Sequence, residues 1–112
     1  VPALQEPEAI AIHDVIKEDD EIIAGMCADI YTWKEMYLEL LFVDKTYRNK
    51  GLATMLLDRI EDEAKAMGVT LVHTDTDDFQ GKDFYLKQGY ETFGVSDECQ
   101  RSDQRNYIKK SL

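Results

Sequence analysis

Apolar and polar residues alternate along the first third of the chain and then change period. From Ala9 to Ile16 the alternation predicts a β-strand with Ile10, Ile12 and either Val15 or Ile16 facing inward. The stretch before it, Val1 to Ala9 with Pro2 and Pro7, reads as irregular lead-in. Glu18-Asp19-Asp20-Glu21 is a polar hairpin turn into a second strand, Ile22 to Tyr31, where Gly25 marks a bulge or a close backbone approach. Thr32-Trp33-Lys34-Glu35 turns the chain again, into the apolar run Tyr37 to Val43. These three strands predict an antiparallel meander.

After the polar turn Asp44-Lys45-Thr46-Tyr47 the period lengthens. Leu52, Leu56, Ile60 and Ala64 recur at helical spacing, and Ala53, Leu57 and Met67 widen the same face. Gly68 follows as a left-handed cap, and Val69 to Thr74 is a β-branched strand entered directly from the helix. Strand, helix and strand in that order form a βαβ unit, whose two strands run parallel. A second helix is predicted over Gly81 to Gln88, ending at Gly89, then a strand at Tyr90 to Val95. A polar loop, Ser96 to Gln104, leads to a terminal strand, Arg105 to Lys110. No internal repeat or interdomain linker interrupts the pattern. The predicted architecture is α/β: one domain over residues 1–112, with a mixed, mostly antiparallel sheet and one parallel crossover.

Composition narrows the class. With 112 residues, 44% hydrophobic and 32% charged, the chain can build one core of an ordinary globular domain. No apolar run reaches bilayer length and no basic-then-apolar leader opens the sequence, so a cytoplasmic setting without membrane contact is expected. Cys27 and Cys99 fit unpaired thiols in that setting. A net charge of −10, from 13 basic and 23 acidic residues, argues against nucleic acid and would suit a cationic small molecule, although acidity that serves solubility alone explains it more simply.

Against that acidity, Arg48-Asn49-Lys50-Gly51-Leu52-Ala53 gathers positive charge where a strand hands over to a helix. A helix begun by small residues after a basic loop presents unpaired N–H groups and a positive dipole end, which suit a phosphate or pyrophosphate. A plain strand–loop–helix turn, with Gly51 relieving backbone strain, fits the hexapeptide about as well. No second glycine or Gly-Lys-Ser/Thr completes a P-loop. Asp75-Thr76-Asp77-Asp78 hints at a calcium loop, but Phe79 and Gln80 stand where a ligand and a glycine belong. His13 and His73 lack spaced partners, so no metal is expected. Tyr31 and Trp33 suit stacking on a substrate and packing in a hairpin equally.

Two motifs, in this order, resemble the GNAT superfamily of acyl-CoA-dependent N-acetyltransferases, particularly its small bacterial members. The first is Arg/Gln-x-x-Gly-x-Gly/Ala, met by Arg48, Gly51 and Ala53. The second is Phe79-Gln80-Gly81-Lys82-Asp83-Phe84-Tyr85-Leu86-Lys87-Gln88-Gly89-Tyr90, similar to the family's helix with Phe-Tyr, a basic residue and Gly-Tyr/Phe. The resemblance implies a sheet whose two central strands splay apart to take acetyl-CoA as cosubstrate. Backbone groups of Leu41, Phe42 and Val43 would pair with its pantetheine arm. The pyrophosphate would rest on N–H groups of Asn49, Lys50, Gly51, Leu52, Ala53 and Thr54, aided by the charges of Arg48 and Lys50. Catalysis is then direct transfer of acetyl to a primary amine of a small acceptor; the net charge suits a cationic one, and peptide, polyamine, aminoglycoside and amino-acid amines all stay open.

In that scheme Tyr85 matches the acid that protonates the leaving thiolate, a phenol being protonated at neutral pH. Packing beside Phe84 is the other role open to it. Glu39 best resembles the family's base, with a solvated or salt-bridged carboxylate as an equal alternative. Asp75 and Asp77 come after it, and a water chain can replace them all. Asp78 departs from the family's pantetheine-binding asparagine, because an aspartate cannot donate the same hydrogen bond; Gln80 can substitute. The family's first strand and helix pair have no counterpart in the short lead-in, so a homodimer covering the open surface is expected. A regulatory module that binds acyl-CoA without turnover is the alternative function.

Overall fold

The computed structural model describes residues 9–31, 34–76, 79–96 and 105–112. The order along the chain is β1 (Ile10–Glu18), β2 (Glu21–Tyr31), β3 (Glu35–Val43), α1 (Leu52–Ala66), β4 (Leu71–Thr76), α2 (Phe79–Lys87), β5 (Glu91–Ser96) and β6 (Arg105–Ser111). A short 3-10 turn, Lys45–Tyr47, sits between β3 and α1. The predicted elements are all present, with α2 starting two residues earlier than the apolar pattern suggested. Thr32, Trp33, Asp77, Asp78 and most of the polar loop with Cys99 lie outside the described residues.

All six strands form one sheet in the order β1-β2-β3-β4-β6-β5. The meander is antiparallel, closed between β1 and β2 by Asp19 and Asp20, both with positive φ as a tight hairpin requires. β3 and β4 run parallel, as the helical crossover demands, but pair only at Glu35↔Leu71, Met36↔Val72 and Tyr37↔His73. Beyond these three positions the central strands part. On β3 the partners of β2 jump from Ala28↔Leu38 to Cys27↔Leu40, so Glu39 is an extra residue, a bulge placed just past the parallel pairing.

Both helices cover one face of the sheet. Ile12, Met26, Ala28, Met36, Leu38, Val72 and Ile108 project from the strands into one core with Leu56, Leu57, Ile60 and Ala64 of α1 and Tyr85 of α2. The helical stripe read from the sequence is therefore real, except for Met67. That residue caps the helix beyond its last full turn and is 43% exposed. Ile10, expected inward, is 52% exposed at the outer end of β1. Both helices end in a six-to-one backbone bond, Val69 N–H to Ala64 O and Tyr90 N–H to Tyr85 O, with Gly68 and Gly89 at positive φ.

Beneath the helices a polar knot joins three elements. Tyr90 Oη donates to Glu61 Oε2 at 2.7 Å, and Lys110 Nζ donates to Glu61 Oε1 at 2.9 Å and to the Gln88 carbonyl at 3.0 Å. Gln88 Nε2 also donates to Thr54 Oγ1 at 3.3 Å, tying the end of α2 to the start of α1. These bonds hold the two helices at a fixed separation over the fork.

Candidate active site

The end of β3, the loop after it and the two helices enclose a cleft of about 440 Å³. It is lined by Leu41, Phe42 and Val43 from β3, by Arg48, Asn49, Gly51, Leu52, Ala53 and Thr54 from the loop and α1, and by Tyr85. These residues were named from the sequence, and the fold brings them into one place. Tyr47, Gly81 and Phe84 complete the wall; nothing in their spacing marked Tyr47 as a lining residue. Lys50 is the exception among the loop residues. It is not among those lining the cleft, and its ammonium lies 5.4 Å over the Tyr47 ring.

Gly51 carries the loop into the helix at φ 77, a left-handed conformation, and Asn49 is left-handed as well at φ 64. Gly51 stands at the N-cap with no side-chain cap bond, so among the described residues no side chain caps the first N–H groups of α1. A Cβ added at Gly51 would meet nothing within 4 Å, which shows how open the approach to these groups is. Arg48 Nε donates to the Val43 carbonyl at 3.2 Å, fastening the loop to the end of β3. The bond from Asp44 N–H to the Ile23 carbonyl fixes the alternation along β3: Phe42, expected to pair with the arm, turns its backbone groups to Gly25 on β2, and only Leu41 and Val43 face the open edge. With the Val43 carbonyl engaged by Arg48, a strand-like arm laid along β3 finds its partners at Leu41 and at the Val43 N–H. The exposed N–H groups, the dipole end of α1 and the Arg48 charge together fit a pyrophosphate.

A second cleft of about 260 Å³ opens at the fork, lined by Leu38, Glu39, Leu41, Thr74, Asp75 and Tyr85 among others. Tyr85 faces both clefts and so marks their junction. Its ring packs edge-on against Phe84 and Tyr90 at 5.1 and 5.3 Å, so the packing role open to it is filled, and its position between the clefts leaves the chemical role open as well. Tyr85 is 7% exposed. Burial, with a smaller effect from nearby Tyr37, pushes its phenol up to about 12, which keeps the proton on the hydroxyl throughout the neutral range.

The carboxylates at the fork differ. Glu39 is exposed on its bulge, and a shared hydrogen bond and like-charge repulsion with Asp29 raise its pKa, making it the more basic group. Asp75 accepts from Tyr37 Oη at 2.6 Å and from Arg105 Nη1. Burial acts to raise its pKa, but those two bonds and the Arg105 charge outweigh it and hold the carboxyl below its usual range. Two donors and a low basicity make Asp75 a poor proton acceptor. Asp77 and Asp78 lie outside the described residues, as does the Gln80 side chain.

Residues 3–90 match the family model described as the acetyltransferase (GNAT) family. Among solved structures, an acetyltransferase from Bacillus cereus ATCC 14579 superposes with a TM-score of 0.87 at 28% identity, over 96% of this chain and 76% of that one. An acetyltransferase of Bacillus anthracis str. Ames in complex with acetyl coenzyme A superposes at 0.80 with 19% identity, over 96% and 65% of the two chains. YxbD of Bacillus subtilis (strain 168) is 30% identical over 74 residues, covering 64% of this chain and 45% of YxbD. The chain therefore spans less than half the length of that curated relative. The chain belongs to the GNAT acetyltransferase family, in which transfer of acetyl from acetyl-CoA is general.

Proposed function

We propose that this protein moves an acetyl group from acetyl-CoA directly to a primary amine of a small, cationic acceptor. The position of Tyr85 carries this reading. Its protonated hydroxyl stands where a cleft with an anion-binding end meets a fork lined by acidic groups.

The roles follow from the chemistry of each group. The loop from Arg48 to Thr54 holds the pyrophosphate, and the open edge at Leu41 and Val43 aligns the arm, so that the thioester reaches Tyr85. The acidic fork, with Glu39 and Asp29 outward, attracts an ammonium and so concentrates the acceptor. Glu39, made more basic by Asp29, takes a proton from the ammonium to expose the lone pair. As the amine nitrogen bonds to the carbonyl carbon and the C–S bond breaks, Tyr85 gives its proton to the departing sulfur. The nitrogen's second proton leaves to water, and Tyr85 regains its own from solvent.

The test is thiol release in a screen of amine acceptors, comparing wild type with Tyr85→Phe. The expected result is turnover that falls about 100-fold in the variant while acetyl-CoA affinity changes less than about threefold. Wild-type binding of acetyl-CoA with no turnover on any amine would support the regulatory module instead.

A further inference from the structure

The parallel ladder between β3 and β4 ends at Tyr37↔His73, and the next residue of β4 is Thr74. Its Oγ1 donates a hydrogen bond to the Leu38 carbonyl at 2.8 Å, and the residue is 6% exposed. That carbonyl lies one residue beyond the last pair, on a strand whose next residue, Glu39, is the bulge against β2. Two features therefore coincide at one height of the sheet. The bulge turns β3 away from β4, and the threonine hydroxyl supplies a donor to the carbonyl at that point. A carbonyl buried at a branching point needs a donor, because desolvation without one is destabilising. A side-chain hydroxyl meets that need while leaving the two backbones apart.

We propose that Thr74 is a positioning residue that fixes where the fork opens, and through it the register of the Leu38–Leu41 edge against Tyr85. The assignment rests on the reading of the fork as the acyl-CoA site. Thr74 lines the fork together with Glu39 and Tyr85, so a change in the opening moves the strand edge relative to the hydroxyl. Threonine is the residue type that meets both demands: a β-branched shape for a strand, and a short donor held close to the backbone. Valine fills the same volume without the donor, and serine keeps the donor without the methyl.

Thr74→Val and Thr74→Ser are compared with wild type by amide hydrogen exchange without ligand and by steady-state kinetics. In Thr74→Val, exchange at Leu38–Leu41, Asp75 and Thr76 accelerates at least fivefold, and KM for acetyl-CoA rises about tenfold with KM for the amine unchanged. Thr74→Ser restores both to within about twofold. Ile60→Val, a core change in α1 remote from the fork, lowers stability and leaves both readouts alone. Wild-type exchange and KM in Thr74→Val overturn the assignment, and so does faster exchange with an unchanged KM. A wild-type protein that fails to bind acetyl-CoA in calorimetry overturns the acyl-CoA reading instead, while exchange still decides the role of Thr74 at the fork.

Discussion

Gly25 lies beneath the Phe42 ring: a Cβ built on Gly25 would stand 2.6 Å from Phe42 Cε1, closer than carbon atoms pack. The two residues are cross-strand partners, and the missing side chain on β2 lets the ring lie against its neighbour's backbone. Gly25 is the close approach rather than the bulge, which falls instead at Glu39. Gly25→Ala forces the ring to move. Because Phe42 is 42% exposed, it can swing outward, so the expected cost is about 1 kcal/mol by chemical denaturation. Phe42 also lines the large cleft, so acetyl-CoA affinity should fall a few-fold in calorimetry. A cost above about 3 kcal/mol would mean that the ring is held in place.

Gly51→Asp separates stability from anion binding. Aspartate tolerates a left-handed φ better than most residues and a Cβ there meets nothing, so the cost is backbone strain alone, about 1–2 kcal/mol. The new carboxylate sits at the positive end of α1 and repels a second anion. Acetyl-CoA should bind at least tenfold more weakly, whereas a thioester lacking the pyrophosphate should react as it does with wild type.

The two fork carboxylates should respond differently. Glu39→Gln should lower kcat about 10- to 100-fold and remove the acid-side limb of the pH–rate profile, because it deletes the raised, accessible base. Asp75→Asn should keep that limb. Its depressed pKa means that its contribution to stability is present above the ordinary carboxylate value and lost as pH falls through the lower, folded value. Substitution should therefore flatten the acid side of the stability curve.

Alkali should act through the tyrosines. Tyr37, held by its bond to Asp75 and by burial, and Tyr85, by burial, are each pushed up to about 12, and burial with the Glu61 bond raises Tyr90 as well. A phenol whose folded pKa exceeds its unfolded value of about 10 favours the folded state below that value. The advantage is lost as pH rises toward the folded pKa. Unfolding free energy should hold to about pH 10 and then fall, with Tyr85 alone accounting for about 2–3 kcal/mol. Tyrosinate absorbance should appear together with unfolding, and Tyr85→Phe should shallow the slope.

Local chemistry made much of this legible. A strand running into a basic, glycine-bearing loop and then a strongly periodic helix announces the turn where an anion could sit, and Gly51 does take the left-handed position there, as both readings of the hexapeptide allow. Gly68 and Gly89 likewise announce the helix ends. The insertion of β6 between β4 and β5 was not legible, because strand order is set by distant pairings such as Thr74↔Ile108. Glu39 could be named as a carboxylate near the fork, but its bulge is a mismatch between two strands and has no signature in either. The same holds for Thr74, which reads as one more β-branched strand residue until Leu38 is placed beside it.

The carbonyl of Tyr85 accepts from the N–H of Gln88 and of Tyr90, both at 3.0 Å, so the residue proposed as the acid also anchors the stop of its own helix. Side chain and main chain of one residue thus share a single foundation. The turn at Gly89 acts as a ruler for the cleft: it sets where α2 stops and, through the Tyr85 carbonyl, where the phenol stands over the fork. The height of the Tyr85 ring between the two clefts is thus inherited from the way one short helix ends.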